Sequence, residues 1–333
     1  MGVYLSIKSF VHCVLRCEYN SLLLRTNQYD NVNISMKYFN GILFAALSSV
    51  TFGLAPFFSI SLLDAGYSSF EVLFYRWGVA SLSLIVFGLC TGCDFRLPWR
   101  DLKVVFLLCL FRAATSVSLI IAYQNIASGV ASTIHFMYPL AVTLAMMFIF
   151  KERKSVVILL AVVMSLVGAL FLTSGDIHHT GGRTAVGIVA ACVSVFSYGG
   201  YIIGVRKTRA VNINSTVLTS YVMGIGAVLF FVAGCFTSGI RVETDGMMWL
   251  YILGLALPAT AISNITLVKA VKYVGPTLTS ILGALEPLTA VVIGVSFLGE
   301  QFTVSSAIGI LLVTCAVTVV VLMENRMNRS VRT

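Results

Sequence analysis

The chain has 333 residues, of which 58% are hydrophobic and only 11% are charged, and its formal net charge is +9. Soluble domains carry about 25% charged residues, and no soluble domain of this size has an interior large enough to bury so much apolar surface. The composition therefore excludes a cytosolic enzyme, a disordered chain and a disulfide-stapled secreted module. Because the apolar residues run continuously instead of alternating, an outer-membrane barrel is excluded too. The remaining class is a polytopic helical membrane protein.

The apolar runs set the number of membrane spans. A helix needs about 20 mostly apolar residues to cross a bilayer. The fold class predicted from this length is an all-α polytopic membrane protein with ten transmembrane helices, at about residues 40–62, 70–90, 103–123, 129–150, 155–174, 185–205, 215–237, 247–268, 276–298 and 303–323.

The two ends of the chain do not fit this pattern. Residues 1–35 mix charged and apolar residues and contain no uninterrupted apolar segment, so they form neither a span nor a signal peptide. We expect a disordered or interfacial tail, or a spurious extension before an alternative start at Met36. Residues 324–333 are expected to form a second tail.

The distribution of positive charge predicts the topology. With the N-terminus in the cytoplasm, eighteen of the 22 Lys and Arg fall on the cytoplasmic side, two (Arg76 and Arg112) fall inside spans, and only Arg183 and Arg241 fall outside. The positive-inside rule favours this orientation, with both termini in the cytoplasm. Charge clustered between spans is a topology signal and does not indicate a nucleic-acid partner. We expect a multi-pass protein of the cytoplasmic (inner) membrane whose partners are the lipid bilayer and a small-molecule substrate.

The chain contains an internal repeat. A shift of 148 places Pro139 on Pro287 and Glu152 on Glu300, and a shift of 146 places Gly53 on Gly199 and Ser48 on Ser194. We attribute the two-residue difference between the shifts to loop length. The predicted halves are residues 36–175 and 184–323, each with five spans. Since five is odd, the second half enters the membrane from the opposite side, as in the inverted repeats of many secondary transporters.

Two stretches carry a family resemblance. They are AYQNIASGVASTIHFMYP at 122–139 with KER at 151–153, and KAVKYVGP at 269–276 with Glu286-Pro287 and Glu300. Together with the Pro-to-Glu spacing of 13 in both halves, they resemble the EamA-like branch of the drug/metabolite transporter superfamily over residues 38–323. The resemblance implies that spans 1–4 and 6–9 surround a central cavity and that spans 5 and 10 pack outside it. It does not identify the cargo, because substrates in that superfamily range from amino acids and sugar phosphates to drugs.

Ionisable residues inside the spans are the first candidates for substrate contact. At 1.5 Å per residue, Arg112 and Glu286 lie about 14–15 Å deep, and Arg76 and His135 lie about 9 Å below the outer ends of spans 2 and 4. Charges at such depths cost about 2.5–3.5 kcal/mol each on insertion scales, so they face a partner or a cavity. Relative to the EamA-like pattern, Arg112 and His135 replace small or apolar residues, which suggests a branch-specific cavity.

Two interpretations of these charges stay open. In the first, Arg112 and Glu286 form a structural ion pair, and Arg76 pairs with Glu71 or extends toward the interface. In the second, Arg76 and Arg112 line the cavity and bind a carboxylate or phosphate, while Glu286 exchanges protons, so that protons are an additional partner.

Further polar residues complete the predicted site. His135 and Tyr138 are three positions apart and project from one side of span 4. Tyr198 and Asn264 add hydrogen-bonding groups on spans 6 and 8, although packing between helices explains each of them equally well. Pro139 and Pro287 free backbone carbonyls and are predicted to bend spans 4 and 9. We predict no catalytic residue, cofactor or metal site.

Two other protein classes compete with a transporter. A membrane thiol oxidoreductase would use Cys90 and Cys93, but that motif falls on the reducing cytoplasmic side. A non-transporting scaffold or receptor has no use for buried charges. Small residues in spans 5 and 10, such as Gly168 and Gly309, permit close helix contact, either within the chain or in a homodimer. We therefore predict a secondary transporter that moves a small polar or anionic metabolite, an amino acid or similar, by alternating access.

Overall fold

The structure is a computed structural model. It describes residues 36–126, 131, 134–151, 156–173, 183–237 and 239–286, together with 288–289, 292, 304–305, 307–313, 315–316 and 319. Several predictions lie outside the described residues, namely the tails 1–35 and 324–333, the kink residue Pro287, and the span-exit residues Glu152 and Glu300.

All regular structure in the described ranges is helical. We number the helices in chain order as α1 Met36–Asp64, α2 Ser69–Cys90, α3 Trp99–Asn125, α4 Tyr138–Phe148, α5 Val156–Thr173, α6 Thr184–Lys207, α7 Ser215–Phe236, α8 Gly246–Val274 and α9 Pro276–Leu282.

Six of these helices, α1 to α3 and α6 to α8, are long and apolar enough to cross a membrane. They coincide with the predicted spans 1 to 3 and 6 to 8. The helices α4 and α5 are apolar but contain shorter described segments, and predicted spans 9 and 10 are represented by α9 and by helical residues 307–313. The described residues therefore establish six candidate spans, not ten.

Three helices are interrupted near their middle or at their start. The first, α1, is broken by a turn at Gly53 and Leu54 and resumes at Ala55 with Pro56 in its first turn. The α4 helix begins at Tyr138, after a turn at 136–137, with Pro139 in its first turn. In α8, residues Leu257–Ile262 form a π-helical turn that contains Pro258. Proline lacks the N–H that a continuous helix needs, so each break coincides with the residue that favours it.

The two halves pack through α2 against α7 and through α3 against α6. The Trp77 side chain on α2 is fully buried and lies against Gly226 on α7, where a Cβ atom would overlap the indole ring. The same ring meets Phe230 edge to face, with centroids 5.0 Å apart. A glycine is therefore required at this close approach of the two helices.

Some contacts between the halves occur twice, at positions that the repeat makes equivalent. The Tyr75 hydroxyl donates to the Arg241 carbonyl, and the Tyr221 hydroxyl donates to the Phe95 carbonyl at 2.9 Å. The repeat shift of 146 equates Tyr75 with Tyr221 and Phe95 with Arg241. The two hydrogen bonds are therefore equivalent, and exchanging the halves turns one into the other. Exchange of this kind is the property of a two-fold axis.

A second exchanged pair involves two glycines. Gly41 on α1 lies against Val274 at the end of α8, and Gly187 on α6 lies against Ile126 at the end of α3, where a Cβ atom would come within 2.7 Å of the isoleucine side chain. The repeat shifts convert Gly41 into Gly187 and Ile126 into Val274. The start of α1 thus lies at the end of α8.

The end of α6 lies at the same end of α8. The Arg206 side chain, near the end of α6, donates to the carbonyl of Lys272 in the last turn of α8 at 2.6 Å. The beginning of α1 and the end of α6 are therefore on one side of the bundle. The two equivalent helices run in opposite directions.

The difference between the two repeat shifts lies only partly in a loop. The shift is 146 at Phe95 and Arg241 and 148 at Ile126 and Val274, so the extra residues fall between 241 and 274. A π-helical turn accommodates an extra residue inside a helix, and Leu257–Ile262 is such a turn. The attribution of the whole difference to loop length was therefore wrong.

The small residues of spans 5 and 10 contact each other within the chain. A Cβ atom at Gly168 on α5 would come within 2.8 Å of Val313 and 3.0 Å of Leu312. The Ser305 hydroxyl donates to the Phe171 carbonyl at 2.7 Å and joins the same two segments. Close packing at Gly168 is therefore intramolecular, and a homodimer through these spans stays a prediction.

Candidate functional site

Seven side chains were predicted to contact the substrate, and all seven lie in described parts of the chain. The structure brings them into one connected cluster around the rings of Phe52 and Tyr198. The members are Arg76 on α2, Arg112 on α3, His135 and Tyr138 at the break before α4, Tyr198 on α6, Asn264 on α8 and Glu286 after α9.

The guanidinium group of Arg76 has one nitrogen that is hydrogen-bonded and one that has no partner among the described residues. The side chain is 7% exposed, and its Nε donates to the Thr260 hydroxyl at 2.6 Å. The Thr260 hydroxyl, in the π-helical turn of α8, in turn donates to the Leu255 carbonyl in the preceding α-helical turn. The Nη2 atom of Arg76 is buried and has no hydrogen-bond partner among the described residues. A strong donor is therefore available inside the bundle.

Arg112 is held in place by an amide. Its side chain is 2% exposed, and its Nε donates to Asn264 Oδ1 at 3.1 Å. The amide nitrogen of Asn264 donates to the Thr260 carbonyl at 2.8 Å, which fixes the amide so that its oxygen faces the arginine. Both arginines are thus bound to the same segment of α8.

The two guanidinium groups share one aromatic ring. The guanidinium carbons of Arg76 and Arg112 lie 5.6 and 5.4 Å from the centroid of the Phe52 ring. Arg112 also lies 5.1 Å from the Tyr198 ring. A desolvated cation–π contact contributes about 2 kcal/mol, and a charge in the bilayer centre costs about 2.5–3.5 kcal/mol or more. The aromatic rings therefore offset part of the cost and leave the site positively charged.

The structural ion pairs considered from the sequence do not form. Glu286 accepts a hydrogen bond from the Tyr138 hydroxyl at 3.4 Å, and no ion pair within 4.0 Å joins it to Arg112. Glu71 accepts from Arg241 Nε at 3.1 Å instead of pairing with Arg76. The two ion pairs of the first interpretation, Arg112 with Glu286 and Arg76 with Glu71, are therefore absent from the described residues.

His135 forms a hydrogen bond to α6. Its Nδ1 lies 2.8 Å from the Ser194 hydroxyl, and its ring is 5.5 Å from the Tyr138 ring and 5.4 Å from the Tyr198 ring. The histidine is 4% exposed, and its Nε2 has no partner in the described part of the chain. The predicted common side of His135 and Tyr138 is confirmed by their ring contact.

The cluster surrounds the axis that relates the halves. The shift of 146 equates Phe52 with Tyr198, and these rings stack with 6.3 Å between centroids and 13° between planes. The shift of 148 equates Tyr138 with Glu286, and these side chains are hydrogen-bonded. Equivalent residues touch only close to the axis that relates their units. The charged cluster therefore lies at the centre of the two-fold arrangement.

Three residues of the cluster were missed at the sequence level. Phe52, Thr260 and Ser194 are a ring and two hydroxyls inside apolar spans, where they carry no charge to draw attention. The signal for Phe52 was present, because the repeat shift pairs it with the predicted residue Tyr198. No comparable signal identifies Thr260 as the partner of Arg76.

The remaining chemical candidate lies away from this cluster. Cys90 and Cys93 are free thiols at the end of α2, the first exposed and the second partly exposed. Within the described ranges, no group of three or more His, Cys, Asp or Glu side chains is arranged to hold a metal ion.

The fold and the cluster together define a multi-pass helical membrane protein with a polar centre between two related halves, which is the architecture of a membrane transporter. The family model of the EamA-like transporter family matches the chain twice, at residues 39–174 and 185–322. The chain belongs to this family. The predicted resemblance to EamA-like transporters is confirmed, and the two matched ranges confirm the repeat.

Two further comparisons agree with this assignment. An uncharacterized transporter of Archaeoglobus fulgidus is 26% identical over 267 residues, which cover 79% of this chain and 89% of that protein. A protein of known crystal structure aligns with a TM-score of 0.73 at 19% identity, over 88% of this chain and 99% of the other. The second likeness concerns the fold alone.

Proposed function

We propose that the protein is a ten-span secondary transporter that moves a small polar or anionic metabolite across the cytoplasmic membrane by alternating access. Its two inverted halves are residues 36–175 and 184–323, and both termini are cytoplasmic. The double family match and the opposite directions of α1 and α6 support this architecture. In it, the substrate site lies between the halves near the midplane.

The single observation that carries the substrate class is the shared position of two buried arginines. Arg76 and Arg112 both contact the Phe52 ring, and neither has a carboxylate within 4.0 Å in the described ranges. The planar guanidinium fork binds carboxylate and phosphate groups through paired hydrogen bonds. An anionic group of the cargo therefore neutralises this pair in the bound state, and a neutral cargo leaves two cations next to each other.

Glu286 is the candidate for coupling to protons. It lies within electrostatic range of Arg112, and its carboxylate already accepts a hydrogen bond from Tyr138. An anion that binds Arg112 changes the electrostatic potential at Glu286 and so its tendency to hold a proton. Cargo and proton binding are then linked through one arginine. The cargo itself is an amino acid or a similar small acid.

Uptake by purified protein in liposomes tests this proposal. The probes are ¹⁴C-labelled amino acids, hydroxy acids and sugar phosphates, each measured with and without a pH gradient. We expect Arg76→Gln and Arg112→Gln to lower uptake at least tenfold, since each removes a charge-assisted bond to the anion. Arg183→Gln is the matched control, because Arg183 is exposed and its side chain takes no part in the cluster.

Three outcomes would contradict parts of the proposal. Uptake that survives both arginine substitutions would exclude the arginines from the site. Unchanged dependence on the pH gradient in Glu286→Gln would exclude that residue from coupling. Loss of function in a Cys90→Ser, Cys93→Ser double variant would favour thiol chemistry over transport.

A further inference from the structure

The hydrogen bonds of Ser194 determine which nitrogen of His135 carries a proton. The Ser194 hydroxyl lies 2.6 Å from the Ala191 carbonyl and 2.8 Å from His135 Nδ1. A hydroxyl has a single proton, and two oxygens at 2.6 Å repel each other unless that proton lies between them. The serine therefore donates to Ala191 and accepts from His135. In a neutral imidazole this places the ring proton on Nδ1.

The other nitrogen is left as an acceptor inside the cluster. With Nδ1 protonated, Nε2 of His135 carries a lone pair, and it is buried with no partner among the described residues. The nearby Tyr138 hydroxyl donates to Glu286 and is not available to it. A buried acceptor of this kind is costly unless something donates to it.

This acceptor and Arg112 are close enough for one small molecule to contact both. The guanidinium carbon of Arg112 is 5.1 Å from the centroid of the Tyr198 ring, and the His135 ring is 5.4 Å from the same centroid. The two groups are therefore no more than about 11 Å apart. The cluster presents donors at Arg76 and Arg112 and a lone-pair acceptor at His135.

The hydrogen bond between His135 and Ser194 has no counterpart at the equivalent positions of the other half. The repeat shift equates Ser194 with Ser48, whose hydroxyl donates to the Ser263 carbonyl at 2.8 Å. It equates His135 with Gly283, which has no side chain. A contact needed only to pack the halves would be expected in both, and this one occurs once. The asymmetry favours a role in recognition.

We infer that His135 Nε2 accepts a hydrogen bond from an N–H or O–H group of the cargo, and that Ser194 is the positioning residue that keeps this acceptor available. The inference rests on the proposed function. It narrows the substrate class to acids that also carry an amino or hydroxyl group. Acids with the same carbon skeleton and no such group leave Nε2 unpaired and are discriminated against.

Matched trios of acids test the inference. Each trio shares one carbon skeleton and carries an ammonium group, a hydroxyl group or a hydrogen at C2: 2-aminobutyrate, 2-hydroxybutyrate and butyrate; leucine, 2-hydroxy-4-methylpentanoate and 4-methylpentanoate; phenylalanine, phenyllactate and 3-phenylpropanoate. Uptake into liposomes is measured for each acid. We expect the wild-type protein to prefer the substituted members of at least one trio by about tenfold.

Two substitutions of His135 separate recognition from packing. A glutamine side chain can place an amide oxygen where Nε2 lies, and an asparagine side chain can place its amide near Ser194. We expect His135→Gln to keep the preference and His135→Asn to lose it, so that the ratio of uptake falls to about one. Preference retained in His135→Asn and lost in His135→Gln would assign the histidine to helix packing and overturn the inference.

The tautomer is tested without any substrate. Nitrogen-15 NMR of histidine-labelled protein in lipid nanodiscs distinguishes a protonated Nδ1 from a protonated Nε2, and the His135 signal is identified by its absence in His135→Gln. We expect protonated Nδ1 in the wild-type protein and a shift toward protonated Nε2 in Ser194→Ala. A proton on Nε2 in the wild-type protein would overturn the inference.

Failure of the inference and failure of the proposed function are distinguishable. Uptake of all three members of a trio at equal rates, abolished by Arg76→Gln, would leave the proposed function standing and remove the role of His135. Absence of uptake for all nine acids and for the sugar phosphates would remove both.

Discussion

Arg112, His135 and Asn264 show how the site differs from the repeat that contains it. The shift of 148 equates them with Thr260, Gly283 and Ser116, so neither Arg112 nor His135 has an ionisable counterpart. Phe52 and Tyr198, in contrast, keep an aromatic ring in both halves and stack on each other. Duplicated residues thus build the scaffold around the axis, and residues that differ between the halves provide the charge.

Thr260 offers a test of how Arg76 is positioned. Thr260→Val keeps the shape of the side chain and removes the hydroxyl that accepts from Arg76 Nε. Leaving that donor unpaired costs about 1–3 kcal/mol, so we expect the KM for anion uptake to rise about tenfold with little change in the amount of folded protein. The measurement is the concentration dependence of uptake in liposomes.

The control for this substitution is Thr143→Val. Thr143 is also fully buried, but its hydroxyl has no partner in the described part of the chain. Removing it should leave KM unchanged and keep or raise the thermal stability. An equal effect of both substitutions on KM would show that Thr260 does not position Arg76.

Each of the three interrupted helices places a residue of the cluster at or next to its break. Phe52 immediately precedes the break in α1, Tyr138 begins α4 after its turn, and Thr260 lies in the π-helical turn of α8. A continuous helix satisfies its own backbone groups, whereas a break lets side chains and carbonyls point into the space between helices. In α8, Thr260 and Asn264 are four positions apart, so they lie on one face of the helix and contact the two arginines together.

Because α2 and α7 are in close contact at Gly226, we expect a single added methyl group there to lower the thermal stability. In Gly226→Ala the new Cβ would overlap the Trp77 ring. Alanine favours a helix by up to about 1 kcal/mol relative to glycine, but overpacking a tight interface costs about 1–3 kcal/mol. We expect a lower midpoint of thermal unfolding for the variant in detergent.

Gly246→Ala provides the comparison for the helix preference alone. Gly246 begins α8, is exposed, and has no atom within 4 Å of an added Cβ. Its substitution should leave the midpoint unchanged or raise it slightly. A Gly226→Ala variant as stable as Gly246→Ala would mean that Trp77 moves aside at little cost.

For the molecule as a whole, each end of the bundle has one described ion pair between the halves. Arg241 in the second half contacts Glu71 at 3.1 Å, and Arg209 in the second half contacts Asp101 at 2.5 Å. The arginines of both pairs are more than half exposed, so each pair contributes little to stability. In the proposed alternating-access mechanism, one pair would open while the pair at the opposite end stays closed.

Chemical labelling tests the predicted orientation of the bundle. In a variant with its eight cysteines replaced, a single cysteine is introduced as Arg183→Cys or Arg100→Cys, both at exposed positions. The positive-inside rule places Arg183 outside and Arg100 in the cytoplasm. We expect a membrane-impermeant maleimide to label Arg183→Cys in intact cells and to label Arg100→Cys only after permeabilisation. The reverse pattern would invert the topology.

The positions of six helices, though not their ends, and the seven side chains of the cluster were within reach of the sequence. Apolar length is a property of consecutive residues, and an ionisable side chain in an apolar run is visible without knowledge of its surroundings. The repeat shifts added the pairing of the halves, because equal spacing is also a property of the chain alone. Hydropathy and spacing thus determined the class, the family resemblance and the candidate residues.

The partner of each charge was decided only by the tertiary structure. Arg76 binds Thr260, 184 positions away, and Arg112 binds Asn264, 152 positions away. Glu71 is bound by Arg241 from the other half, although Arg76 lies only five positions away on the same helix. Hydrogen bonds depend on atoms that meet within about 3 Å, and such distances follow from how the helices pack and where they break, which the order of residues along one helix does not contain.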